Sequence, residues 1–479
     1  MNAVSQLKRS ANNQPKVGIV HFGPGAFFRG FNAVFTSETM HVEGGDWGIC
    51  AVSLRSSDIR DKLMSQDYAY TSVTLDPQKA EHQVIEVIQN ILVAPESPKA
   101  VLDAMVSPDV KIVSMTITEK GYCHNPANGD LRMDDDGIGH DLKNADNPRT
   151  AIGFLVHALD QRRIKGLAPF TVLSCDNLPN NGTLTQNIIL AFANKVDRDL
   201  ADWVKREVKF PSTMVDRITP ATTDKDVDAL FDIAGYHDVG CVVHEPFRQW
   251  VIEDNFVDQD HPNWNIVGAQ FVKDVEPFEL MKLRCLNGTH SALAYLGYLA
   301  GYQTVFEAVS DDDFAKFIDK LWMEEIIPTL PQLDGIDLTA YCADLKKRYR
   351  NPEIRHLTWQ IAMDGSQKIP QRILGTIRDN LGSDASTSGL ALVVAAWMRY
   401  VGAVDELGNT IDVKDPLAQE LQTISQSHEV PEDKVKALLA FRAVFDEDLA
   451  NDIRFSSAVT KAYFSLIKMG SKQTVKAHL

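Results

Sequence analysis

The chain changes texture once, near Pro277, and that change limits its fold more than any other feature. Before it, short apolar runs rich in β-formers alternate with segments of helical period. The runs KVGIVHFG (from Lys16), WGICAVSL (from Trp47), KIVSMTIT (from Lys111) and FTVLSCDN (from Phe170) read as buried strands. The residues from Ala26 to about Met40 suit a helix, and SSDIRDKLMSQD opens another. Strands alternating with helices predict a parallel sheet covered on both faces. From Phe278 onward almost every segment has helical period, as in DFAKFIDKLWMEEII, ALVVAAWMRYVG and DKVKALLAFRAVF. The expected architecture is an α/β domain over residues 1–277 with a mostly parallel sheet, then an all-α domain over 278–479. The runs GCVVHEPF and WVIED are candidate extra strands of the first domain.

Composition narrows the function classes. With 479 residues, 44% hydrophobic and 24% charged, the chain can bury a large core and is not of the disordered type. A net charge of -17 argues against a nucleic-acid or anionic-membrane partner. An anionic small molecule would need a local basic pocket. The cysteines at 50, 123, 175, 241, 285 and 342 form no CxxC pair and read as reduced thiols. The polar start MNAVSQLKRSANNQPK lacks the apolar core of a secretory signal, and no apolar run approaches the ~20 residues of a membrane span. A cytoplasmic protein is expected.

Gly23-Pro24-Gly25 follows the first strand and precedes a helix. In a Rossmann-like dinucleotide fold the first glycine makes the tight turn. The second lets the backbone approach a pyrophosphate at the helix N-terminus. The usual third glycine is replaced by Phe28, so a turn without a ligand stays open on the motif alone. Phe27 belongs to the same turn, and Arg29, one helical turn in, is a candidate phosphate donor. No acid stands at the end of the second strand, where one would hold a free 2′-hydroxyl. Asp58 is the nearest candidate, and Arg55 would instead tolerate a 2′-phosphate. The residues leave NAD and NADP both open.

Glu279, Lys282, Asn287 and His290 share one apolar stretch. On a regular α-helix they fall within an arc of about 140°. One face would then carry an acid, an amine, an amide and an imidazole. A solvated polar face is the ordinary alternative. Against it, Asn287-Gly288 is a poor pair inside a helix, the glycine costing roughly 1 kcal/mol relative to alanine. The chemistry would be hydride transfer at a secondary alcohol. A lysine takes or returns the hydroxyl proton when burial and positive neighbours disfavour its charged form. Amides stabilise the oxygen without adding charge.

No histidine or cysteine spacing of the zinc kind occurs, and no metal is expected. Asp134-Asp135-Asp136 reads as a solvated loop, His244-Glu245 as a structural pair, and Cys175 and Cys285 as packing residues.

The segments GPGAFFRGF, SCDN, TMVDRITPAT, EPFRQWVIEDNF and PFELMKLRCLNGTHSALAYLGYL occur in that order. Together they resemble the polyol-specific long-chain dehydrogenases/reductases, which include mannitol 2-dehydrogenases and fructuronate reductases (D-mannonate oxidoreductases). The resemblance runs from about Val17 to beyond Arg372. TEKGYC and TWQIAMDGSQKIPQR resemble the fructuronate reductases most. The resemblance implies an NAD-dependent, metal-independent oxidoreductase of open-chain sugar acids or polyols, with NADP not excluded. It implies that Lys282 is the acid/base, Asn177 and Asn287 the donors to the oxygen, and His290 the group that orients substrate. Glu279 would lie on a proton path. Gly23, Gly25 and Arg29 would hold the pyrophosphate, and Val215 and Asp216 would lie on the nicotinamide side. Lys368 and Arg372 would meet a substrate carboxylate. Members of the family are often monomers, and no heptad run here demands a partner. A nucleotide-binding sensor should lack the lysine or the asparagines, and all are present. A phosphate-ester enzyme should show GxxxxGK[ST] or clustered acids, and neither occurs.

Overall fold

The computed structural model describes residues 5–10, 14–126, 128–333 and 335–479. Contacts divide the chain into two units, Met1–Glu276 and Pro277–Leu479.

The centre of the first unit is a five-stranded sheet. Its strands are β1 (Val17–Phe22), β2 (Gly48–Ser53), β5 (Ile88–Val93), β6 (Ile112–Met115) and β7 (Thr171–Ser174), in the order β5-β2-β1-β6-β7. Every pairing in it is parallel. Alternation along the strands explains why both faces are apolar. Val20 and Phe22 of β1, with Val113 and Met115 of β6, pack on helices such as Ala151–Ile164 and Asn181–Val196. Ile19, Ile49, Ala51 and Ile112 face the other way, onto Phe31, Phe35, Trp250 and Trp264. The chain order reverses direction between β1 and β6, so their C-terminal ends bound a topological switch point.

Two small sheets complete this unit. One joins β3 (Tyr70–Thr74), β4 (Glu81–Ile85) and β9 (Val242–His244); the other joins β8 (Thr213–Asp216), β10 (Gln249–Glu253) and β11 (Gln270–Val272). The strands expected in GCVVHEPF and WVIED are β9 and β10. Strands β3, β4, β5, β8 and β11 escaped the sequence reading. β4, for example, is mostly exposed, with burial only at its end, so it carries little apolar pattern.

Among the described residues, every element of the second unit is a helix. Helix Ser388–Val401 is almost wholly buried. Its first turn is capped from outside by the buried carboxylate of Glu325, which accepts from the N–H groups of Gly389 (2.7 Å) and Leu390 (2.9 Å). Three stretches are π-helical: Lys282–Gly288, Leu321–Ile326 and Pro370–Leu374. Among the described residues no helix is long and apolar enough to cross a membrane.

Candidate active site

In the first unit the glycine turn is built by the main chain. Gly23 has φ +94°, and its N–H donates to Val52 O at 3.0 Å. A Cβ at this position would run into the carbonyl of Thr116, which follows β6. The Thr116 hydroxyl donates to Gly23 O at 2.8 Å, so the turn lies tight against the switch point. Gly25 is exposed, and a Cβ there would find only Gly23 O at 4.0 Å. Open space above a helix N-terminus is what an approaching pyrophosphate requires. The helix is interrupted at Phe31, giving Ala26–Gly30 and Asn32–Glu43 in place of one run.

Arg29 departs from expectation. It is buried, and its guanidinium donates to the carbonyls of Pro24 (3.3 Å) and Gly240. Tyr70 donates to Arg29 O at 2.7 Å. Arg29 therefore braces the turn from behind instead of presenting a free fork. Phe27 is half-buried and stacks on Phe31 at 5.0 Å. Asp58 is exposed at the start of helix Asp58–Met64 and accepts from the Ser56 hydroxyl at 2.9 Å.

Asn177 is exposed just beyond β7. Its placement depends on residues that sequence reasoning passed over. The Asp176 carboxylate accepts from Ile117 N and Thr118 N, each at 2.9 Å, and from the Tyr122 hydroxyl at 2.8 Å. Burial pushes the Asp176 carboxyl above its ordinary range. Asn181 ties the end of β7 to β8, donating to Asp176 O (3.0 Å) and Thr213 O (2.9 Å) and accepting from Thr213 N (2.9 Å). Val215 and Asp216 are buried on β8, opposite Trp250 and Gln249. Beneath the turn, His21 stacks on Phe28 at 3.6 Å, and burial pushes its imidazole down to about 3.

In the second unit Lys282 is 8% exposed and His290 7% exposed. Glu279 and Asn287 are half-buried. The arc drawn on a regular helix does not hold, because Lys282–Gly288 is π-helical and steps in i→i+5 bonds. Gly288 has a packing reason: a Cβ there would lie 3.1 Å from the carbonyl of Arg372. The backbone at Arg372 comes close only because the side chain is missing.

The surroundings of His290 are positive. Its ring lies 4.7 Å from that of Tyr349 and 5.0 Å from that of His356. Burial, then His356, Arg348, Arg372 and Lys282, hold the His290 imidazole well below its ordinary range, so it is neutral at pH 7. Burial, then Arg348, Lys368 and Arg372, push His356 down to about 4. Lys368 donates to Ile361 O (3.3 Å) and Met363 O (2.5 Å). Burial, then Arg372, push its amine down to about 8, with Asp364 and Asp415 opposing. Arg372 donates to Asn287 O (3.5 Å) and Ser291 Oγ (3.3 Å). Lys282, His290, Lys368 and Arg372 thus share one neighbourhood. Arg348 and His356 belong to it and were missed; the basic run KKRYRNPEIRH was the signal.

The remaining candidates are structural. Asp135 caps helix Asp136–Asp141 through Gly137 N (2.9 Å) and Ile138 N (3.2 Å), and Asp134 pairs with Arg132. His244 bonds Ser72 Oγ (2.7 Å) and Glu245 O (2.9 Å). All six cysteines are free, and Cys175 and Cys285 are buried. Among the described residues, no three His, Cys, Asp or Glu gather as a metal site.

Known proteins resemble this chain along almost its whole length. Residues 17–266 match the model of the mannitol dehydrogenase Rossmann domain, and 274–467 that of the mannitol dehydrogenase C-terminal domain. A D-mannonate oxidoreductase of Escherichia coli K12 is 46% identical over 464 residues, 96% of this chain and 95% of that protein. A mannitol 2-dehydrogenase of Pyricularia oryzae is 41% identical over 471 residues, 97% of this chain and 93% of that one. Among solved structures, the Pseudomonas fluorescens mannitol 2-dehydrogenase in complex with NAD and D-mannitol superposes with a TM-score of 0.86. It is 40% identical, covering 99% of this chain and 96% of that one. With both halves matched and relatives aligned almost end to end, the chain belongs to the mannitol dehydrogenase family.

Proposed function

We propose that this protein is an NAD-dependent oxidoreductase that interconverts a secondary alcohol and a C2 ketone on an open-chain sugar acid, D-mannonate and D-fructuronate before all others. The observation that carries the sugar-acid reading is the positive neighbourhood of His290, set in a chain whose net charge is -17. A neutral polyol needs no such field; a carboxylate does.

The turn residues fit the dinucleotide. Gly23 supplies the left-handed turn, Gly25 leaves the cradle open, and Arg29 braces both. Phe27 stands beside the cradle, Asp58 serves the adenosine ribose, and Val215 and Asp216 lie on the nicotinamide side. The bound nicotinamide supplies the hydride acceptor or donor. Lys282 takes the proton of the C2 hydroxyl in oxidation and returns it in reduction. Asn177 and Asn287 donate to the same oxygen without adding a charge that would compete with the lysine. Neutral His290 orients a neighbouring hydroxyl, and Glu279 relays the proton towards solvent. Lys368 and Arg372 pair with the carboxylate. The acidic composition and lone cysteines support a cytoplasmic setting, and the lack of heptads supports a monomer.

The test compares fructuronate with fructose as oxidant of NADH. A higher kcat/KM for fructuronate, lost in Lys368→Met while fructose is unaffected, supports the proposal. Fructose winning by a large margin replaces it with mannitol/fructose interconversion.

A further inference from the structure

We propose that Trp322 and Tyr349 are positioning residues: they lock the π-helical register of Lys282–Gly288, and with it the placement of Lys282 and Asn287. The inference rests on the reading of Lys282 as acid/base. A π-helical turn is uncommon and persists only where its surroundings fix it. Nothing in the string KLRCLNG demands it. Where the hydrogen-bond step changes between five residues and four, carbonyls along the segment lose regular partners and must find others when buried.

Donors from outside the helix reach the carbonyls of three successive residues, the first two of which also accept from Thr289. Trp322 Nε1 donates to Cys285 O at 2.9 Å. The Tyr349 hydroxyl lies 3.0 Å from Leu286 O and 2.8 Å from Thr289 Oγ1. The Thr289 hydroxyl donates to Cys285 O, which leaves Tyr349 as the donor in its own two contacts. Arg372 makes a longer contact to Asn287 O, at 3.5 Å. Trp322 is 1% exposed and Tyr349 3% exposed, so water is not at hand to replace either donor.

The donors are themselves unusually placed. Trp322 lies in the π-helical stretch Leu321–Ile326, and Arg372 in Pro370–Leu374. The indole of Trp322 stacks on Tyr349 at 6.3 Å, and Tyr349 packs against His290 at 4.7 Å. One bonded group therefore ties the Lys282 segment to the histidine that begins the following α-helical turn. A relapse to α geometry would turn Lys282 and Asn287 out of phase with His290.

Trp322→Phe and Tyr349→Phe remove one donor each and keep most of the packing. Both should melt near the parent temperature and bind NADH normally. Their kcat should fall by about 10- to 100-fold with little change in KM, as expected for a small misplacement of reacting groups. The midpoint of the kcat–pH profile should move. Parent kcat and profile in both variants would overturn the inference. So would losses that merely follow melting temperature or NADH binding. If Trp322→Phe does not fold, Tyr349→Phe, which deletes only a hydroxyl, decides alone. Lys282→Met is assayed alongside. If it stays active, the underlying reading of Lys282 fails; if it is inactive while both Phe variants behave as the parent, only the register inference fails.

Discussion

The glycine turn and the Lys282 segment hold their groups by opposite means. At Gly23–Gly25 the main chain does the shaping: a left-handed φ, a bond to Val52 O and the nearness of Thr116 fix the loop. At Lys282–Gly288 the regular ladder is altered, and side chains from distant stretches fix what remains. A feature written in backbone stereochemistry survives in the local sequence, because only glycine fits there. A feature written in tertiary contacts leaves almost no local mark.

Substitutions that separate main-chain from side-chain control sharpen the contrast. The largest effect is expected for Gly23→Ala, which meets a positive φ and the Thr116 carbonyl together. It should cost more than about 1 kcal/mol of stability and weaken NADH binding. Gly25→Ala meets nothing nearby, so melting should hold while NADH binding alone weakens. Thermal melts with NADH titrations check the pair, and equal melting of the two would break the comparison.

A middle-sized effect concerns pH. The Lys368 amine is pushed down to about 8 by burial and Arg372. The unfolded chain therefore binds more protons than the fold between about 8 and the free-lysine value of about 10.4, so this group's contribution to stability rises with pH there. Carboxylate binding runs the other way. KM for fructuronate should climb above about pH 8 by roughly tenfold or more, as a charged hydrogen bond of about 1.5–3 kcal/mol is lost. Steady-state kinetics on the parent and Lys368→Met check this; the same climb in both would remove Lys368 from the account.

The smallest effect is expected for Gly288→Ala. Its Cβ would meet Arg372 O at 3.1 Å, a contact relieved by a shift of a few tenths of an ångström. A modest fall in kcat with unchanged NADH affinity is expected from initial rates. A change in NADH affinity would show that the two kinds of control are not separate.

Legibility followed the same division. Val17–Phe22, Gly48–Ser53, Ile112–Met115 and Thr171–Ser174 were readable because strands buried on both faces are continuous apolar runs. Glu81–Ile85 was not, since it buries little. Lys282 and His290 are candidates that the sequence offers, but an arc drawn on a regular α-helix misses the π-helical step between them. Arg29 was read as a ligand donor because its commitment to Gly240 O lies 211 residues away in sequence. Arg348 and His356 stand in the basic run KKRYRNPEIRH, whereas Trp322 and Tyr349 act through contacts that no local pattern encodes.

The proposed chemistry depends on Lys282 moving the proton. Turnover of fructuronate by Lys282→Met, with NADH affinity measured on the same sample, tests it most directly. Loss of about 10²- to 10⁴-fold in kcat with NADH affinity kept is the expected result. Turnover within a few-fold of the parent would contradict it.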